Sequence, residues 1–300
     1  TPVIDSEPAD VSLNHLSLNA PAPQAFRFLV IGHAYGSVEI DDRLPAKQLL
    51  EKIDELNNAN LSMLISLGDM VMHSQPEEFD LLDQMLLSKL SLPVFNVPGN
   101  HDVEDRALYE SRYGQTYYTF SYGPARFIFL DTEIKSCQIN TAQQELLANA
   151  LKAGLRDRET QYIFIFMHKT LFFRNDFLFE SQKHWAMPNV WTCYNNTNFN
   201  RIMDEKILPA ARKKPIYLFA GDVGAWGNLS PYYEKSKDLP LTMVMTGLGD
   251  TSSDSGILVE VNDRNVRLEV FPLSGQDMPY LESFNADYWN QSAKQEGPEQ

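Results

Sequence analysis

Five short segments end an apolar run on polar residues: "IGHAYG" at 31–36, "LGDM" at 67–70, "VPGNHDVE" at 97–104, "FMHKT" at 166–170 and "FAGDVG" at 219–224. Imidazole nitrogens, carboxylates and a carboxamide oxygen are the donor atoms that hold Zn, Mn or Fe. One such segment end means little, but five carrying His, Asp, Asn and His make a metal site the economical reading, provided their loops converge. The chemistry such a site supports is hydrolysis, because a bound divalent ion lowers the pKa of water to as little as about 7 and neutralises an anionic substrate.

Convergence requires that the five runs be strands of one kind of sheet, with their carboxyl ends on a shared edge. "FRFLVIG", "LSMLISLGD" and "LPVFNVPGNHD" read as strands. The helical spacing of Leu49, Leu50, Ile53 and Leu56 and the segment "PEEFDLLDQMLLSKL" separate them. Strand, helix, strand repeated in this way predicts a parallel sheet with helical crossovers. The pattern then changes. "TYYTFSYGPARFIFLDT" reads as a hairpin, followed by a helix at "TAQQELLANALKAG", the strand "QYIFIFMH" and an aromatic insert from about 169 to 198. A helix near "FNRIMDEKILPAARKK" leads to the strand "PIYLFAG". The runs "LTMVMTGLG", "GILVEVN" and "NVRLEVFPL" then have the spacing of an antiparallel meander. The expected fold is therefore α/β, a mixed sheet arrangement with helices outside. It is organised as a leader over 1–24, a domain over 25–275 and a tail over 276–300.

The order GD, GNHD and single His resembles the calcineurin-like metallophosphoesterases, whose pattern is DxH, GD, GNHD or GNHE, a lone His, and GHxH. Gly68-Asp69, Gly99 to Asp102 and His168 match it, and the resemblance spans about residues 26 to 272. It implies a two-sheet mixed β sandwich flanked by helices. It also implies a metal-dependent phosphoester hydrolase in which hydroxide on the metal attacks phosphorus. His101 would then act as general acid, with Asp102 setting its orientation and raising its pKa.

The first and last motifs depart from the family pattern. With Gly36 aligned after the first motif, His33 replaces its Asp and Tyr35 its His, while Asp222 and Gly224 replace the two His of the last. The resemblance then assigns Asp69, Asn100, His168 and Asp222 to one ion. To the other it leaves His33, Tyr35, Asp69 and a glycine without a side chain. One divalent or trivalent ion (Mn, Zn or Fe) is expected to be held firmly, and a second weakly, unusually or not at all. A rival reading from another class is a non-catalytic metal- or ligand-binding protein on the same fold, its chemistry lost with the first motif.

Composition narrows the partners. With 25 basic against 40 acidic residues the net charge is −15, and no basic stripe argues for nucleic acid. No apolar run approaches the roughly 20 residues of a membrane-spanning helix. Lys169 and Arg174, at the start of the insert, are candidate contacts for a phosphate on a small molecule, sugar or lipid. Phe172, Phe173, Phe177, Trp185 and Trp191 would either stack on that substrate or form a satellite core. Cys137 and Cys193 allow one disulfide or two free thiols. Together with the polar leader and Thr1 in place of Met, the cysteine pair suggests a periplasmic or secreted protein.

Overall fold

Phe28 and Phe164 meet edge to face, ring centroids 5.3 Å apart, at the seam where two sheets pack on each other. The computed structural model describes residues 11–36, 43–172, 193, 196–223, 230–252 and 254–295. One sheet runs β11-β10-β1-β2-β3, from β1 (Phe26–Ile31), β2 (Met63–Ser66), β3 (Val94–Asn96), β10 (Ser255–Val261) and β11 (Val266–Pro272). The other runs β4-β5-β6-β7-β9-β8. Its strands are β4 (Tyr118–Tyr122), β5 (Ala125–Leu130), β6 (Tyr162–Met167), β7 (Ile216–Ala220), β8 (Tyr232–Lys235) and β9 (Leu241–Met245). Both sheets are mixed: β1, β2 and β3 are mutually parallel, as are β5, β6, β7 and β9, whereas β4, β8, β10 and β11 pair antiparallel.

The period of two along each strand decides the layering. Phe28 and Val30 point into the seam with Phe127, Phe164 and Phe166, while Leu29 and Ile31 point outward. There they meet Leu49 and Leu56 of the helices α1 (Lys47–Glu51) and α2 (Ile53–Asn58), and Phe79 and Leu82 of α3 (Pro76–Met85). On the far side Ile163 and Ile165 pack under Leu146, Leu147 and Ala150 of α5 (Thr141–Arg156), which follows α4 (Arg106–Tyr113). Covered on both faces, "YIFIFM" is apolar throughout, as a strand interior to two layers must be. A helical segment runs from α6 (Thr197–Ile202) into α7 (Leu208–Ala211), with a π turn over Met203–Ile207 just ahead of Pro209. Proline has no N–H for the α ladder, and such a bulge relieves the mismatch.

The expected meander is corrected. "LTMVM" joins β7 in parallel, with Ala220 opposite Met245, and only β10 and β11 pair as a hairpin in the other sheet. All five residues of that run are buried, which marks an interior strand. Its edge partner β8, "YYEK", goes unseen in the sequence because its charged residues mask the alternation.

Described residues on either side of 25–275 also pack onto the domain. Leu13 N donates to Val94 O at 2.8 Å, and Trp289 of α8 (Ala286–Gln295) is buried with its Nε1 donating to Pro231 O at 3.0 Å. Cys137 and Cys193 form a disulfide, Cα atoms 5.7 Å apart, tying the approach to α5 to the far end of the insert.

Candidate metal centre

The carboxyl ends of β1, β2, β3, β6 and β7 reach one edge, and glycines let their loops touch there. A Cβ on Gly32 would come within 2.7 Å of the Gly221 Cα. Gly68 has φ +93°, and a Cβ on it would lie 2.8 Å from Gly99 Cα and from His168 Nδ1. A Cβ on Gly99 would fall on the Asp69 carboxylate. Glycine at 68 and 99 is thus what lets the second and third loops stack beneath the His of the fourth.

Asp102 locks this stack. Its Oδ2 accepts from Asp69 N and Gly99 N, both at 2.8 Å, and its Oδ1 from Met70 N at 2.7 Å and Val71 N at 3.2 Å. Those bonds hold Asp69 in the left-handed region, φ +55°, a conformation costing of order 1–3 kcal/mol for a non-glycine residue. The expectation that Asp102 orients His101 is therefore corrected, because its carboxylate is consumed by four backbone donors. The His101 ring is set by other groups: Nδ1 donates to Met72 O at 2.7 Å, and Nε2 lies 3.4 Å from the Tyr35 hydroxyl. Burial, then the charge of Asp69, push the Asp102 carboxyl up to about 7 against the pull of its N–H donors.

Three oxygens gather around His168 Nε2. The ring's Nδ1 donates to Leu67 O at 2.7 Å, which turns Nε2 inward, where it can ligate once its proton has left. From Nε2, Asn100 Oδ1 is 3.3 Å away, Asp69 Oδ2 3.4 Å and Asp222 Oδ1 3.5 Å. Donors tetrahedrally placed about an ion at roughly 2.1 Å are separated by about 3.4 Å, which the three distances from Nε2 match; the ligand atoms of Asp69, His168 and Asp222 all lie within 4.8 Å of one another. Asp69 keeps its Oδ2 for that purpose, since its Oδ1 accepts from His101 N at 3.1 Å. Burial opposes ionisation of Asp69, but the facing His168 and then His33 outweigh it and hold the carboxyl well below its usual range. Burial likewise opposes a charge on His168, yet Asp69 and Asp222 raise its pKa to about 9.

The first motif contributes less. His33, itself at φ +48°, stops with Nε2 3.9 Å from Asp69 Oδ2, and its buried Nδ1 has no hydrogen-bond partner among the described residues. Burial lowers its pKa to about 4, so at neutral pH the ring is uncharged and able to ligate. The Tyr35 phenol is driven well above its ordinary value, first by burial and then by Asp69, and so stays a neutral hydroxyl beside His101. On the side of the first motif, the described residues bring His33 toward Asp69. Gly224 and Arg174 lie outside the described residues, as do Phe173, Phe177, Trp185 and Trp191, while Phe172 is buried in the core beneath α5 and α6.

The calcineurin-like phosphoesterase pattern matches residues 45–193 of the chain. Over that span the chain matches the calcineurin-like phosphoesterases. Among solved structures, it is similar to a purple acid phosphatase from yellow lupin (Lupinus luteus) seeds. The TM-score is 0.59 and the identity 12%, over 88% of this chain and 54% of that one. The chain thus spans about half the length of the lupin enzyme. It is also similar to a dimetal phosphatase from Danio rerio, with TM-score 0.54 and 14% identity over 83% of this chain and 96% of that one. At these identities the likeness concerns the fold. No curated protein sequence matches the chain.

Three contributors escape sequence reading. The Leu67 and Met72 carbonyls orient His168 and His101, but carbonyl roles carry no side-chain signal. Glu133, whose carboxyl is raised by burial, sits in the field of His168 and Lys169, and only the fold brings "DTE" there. Lys169 is a different case: its residue type is visible, yet its ammonium bonds to Asn100 Oδ1 at 2.6 Å and Asp222 Oδ2 at 2.8 Å. Burial disfavours that charge, but Asp222 and then Glu133 raise its pKa, so the cation persists.

Proposed function

We propose that this protein is a metal-dependent phosphoester hydrolase built around one firmly held divalent ion, with Asp69, Asn100, His168 and Asp222 as its ligands. The observation that carries the reading is the shell of three oxygens at 3.3 to 3.5 Å around His168 Nε2. Bound there, a divalent ion supplies a low-pKa water and neutralises phosphoryl charge. The chain supplies the rest. His101, partly open to solvent, would pass a proton from Nε2 to the departing oxygen while its Nδ1–H stays on Met72 O. Once that proton has left, the neutral Tyr35 hydroxyl beside Nε2 can donate to the bare nitrogen and keep the ring in place. Substrates in keeping with this centre are phosphorylated small molecules, sugars or lipids. The disulfide supports placement in an oxidising compartment, periplasmic or secreted. Among the described residues no helix is long and apolar enough to cross a membrane.

The test is metal analysis of the purified chain together with hydrolysis of an aryl phosphate monoester and diester in Mn, Zn, Fe and Mg. One equivalent of metal and a loss of about 10²-fold or more in His101→Ala are expected, the range in which proton transfer contributes. Failure of every ion to bind or to support turnover would favour the non-catalytic reading.

A further inference from the structure

The Asn100 Oδ1 that lies 3.3 Å from His168 Nε2 is the same atom that accepts from Lys169 Nζ at 2.6 Å. Asp222 is shared in the same way, with Oδ1 toward His168 and Oδ2 2.8 Å from Nζ. The lysine side chain is only 12% exposed, so its ammonium is inserted into the cluster rather than resting at its rim. An ion bonded to Asn100 Oδ1 at roughly 2.1 Å would stand less than about 5 Å from Nζ, two like charges at close quarters in a buried setting.

We propose that Lys169 is a tethered cation that competes with the divalent ion for Asn100 and Asp222. The ion can complete its ligand set only when the ammonium leaves these two oxygens, so the lysine sets how tightly the centre holds metal. Until then Lys169 neutralises part of the Asp69 and Asp222 charge and holds the cluster together. This rests on the assignment of these residues as ligands.

The test is calorimetric titration of Mn²⁺ and Zn²⁺ into the chelator-stripped full chain, for the wild type, Lys169→Met and Lys169→Arg at one fixed pH. Lys169→Met is expected to tighten the dissociation constant at least tenfold, and Lys169→Arg, which keeps the charge, not to tighten it. The stripped Lys169→Met protein should melt below the stripped wild type and gain more from added Mn²⁺. Equal or weaker binding in Lys169→Met overturns the competition while leaving the ligand assignment standing. Absence of binding in both wild type and Lys169→Met overturns the ligand assignment and this proposal with it. Should Lys169→Met not fold, Lys169→Gln, of similar reach and uncharged, carries the same expectations.

Discussion

Replacing Asp102 by alanine separates two accounts of the GNHD motif. If Asp102 served mainly to orient His101, its loss would leave stability and metal content nearly intact and alter only turnover. The structure gives it another task, since the N–H groups of Asp69, Met70, Val71 and Gly99 all end on its carboxylate. Asp102→Ala leaves these buried donors without an acceptor, at about 1–3 kcal/mol each before relaxation or entry of water. Even at the low end the sum is about 4 kcal/mol, among the larger effects of a single substitution. For a 300-residue chain, with an unfolding entropy near 2.1 cal/mol/K per residue, this corresponds to a drop in melting temperature of about 6 °C. Asp69, freed from its left-handed conformation, should also lose its place beside His168, so metal stoichiometry falls with stability. Thermal unfolding by circular dichroism and metal analysis of the same sample measure both. A variant within about 1 kcal/mol of wild type that retains its metal would refute the reasoning.

The His168 imidazolium, raised to about 9 by Asp69 and Asp222, stabilises the metal-free fold below the unfolded pKa of about 6.5, a contribution lost as pH rises toward 9. Chelator-treated protein should therefore lose stability over that window, while metal affinity climbs close to tenfold per pH unit as the competing proton leaves; urea titrations and calorimetry at several pH values check both. Tyr35→Phe removes the hydroxyl next to His101 Nε2 and no ligand, so metal content should be unchanged and turnover lower by about tenfold, the weight of roughly one hydrogen bond, as steady-state kinetics would record. The Cys137–Cys193 bridge closes a loop of 56 residues, so Cys137→Ser with Cys193→Ser should cost about 4 kcal/mol on the loop-entropy scale, read from denaturant midpoints.

Much of this molecule was legible in the amino-acid order. The apolar runs, their polar ends and the intervening helical spacings determine a layered α/β fold, because burial on two faces leaves a strand no polar positions except where it emerges. The order GD, GNHD and His pointed to Asp69, Asn100 and His168 as candidate ligands, and the fold brings these three side chains together. Tertiary structure decided what residue type leaves open. The Asp102 carboxylate suits a histidine and the Lys169 ammonium a phosphate, and only the packing of loops on Gly68, Gly99 and Gly221 directs one to the backbone and the other to Asn100 and Asp222. The strand "LTMVM" was assigned to the wrong neighbours for a related reason: a run of five apolar residues states that a strand is covered, and not which strands cover it. His33 shows the same division. Its identity marks it as a ligand type, but its 3.9 Å separation from Asp69 is set by a backbone turn at φ +48° that no local pattern in "IGHAYG" specifies.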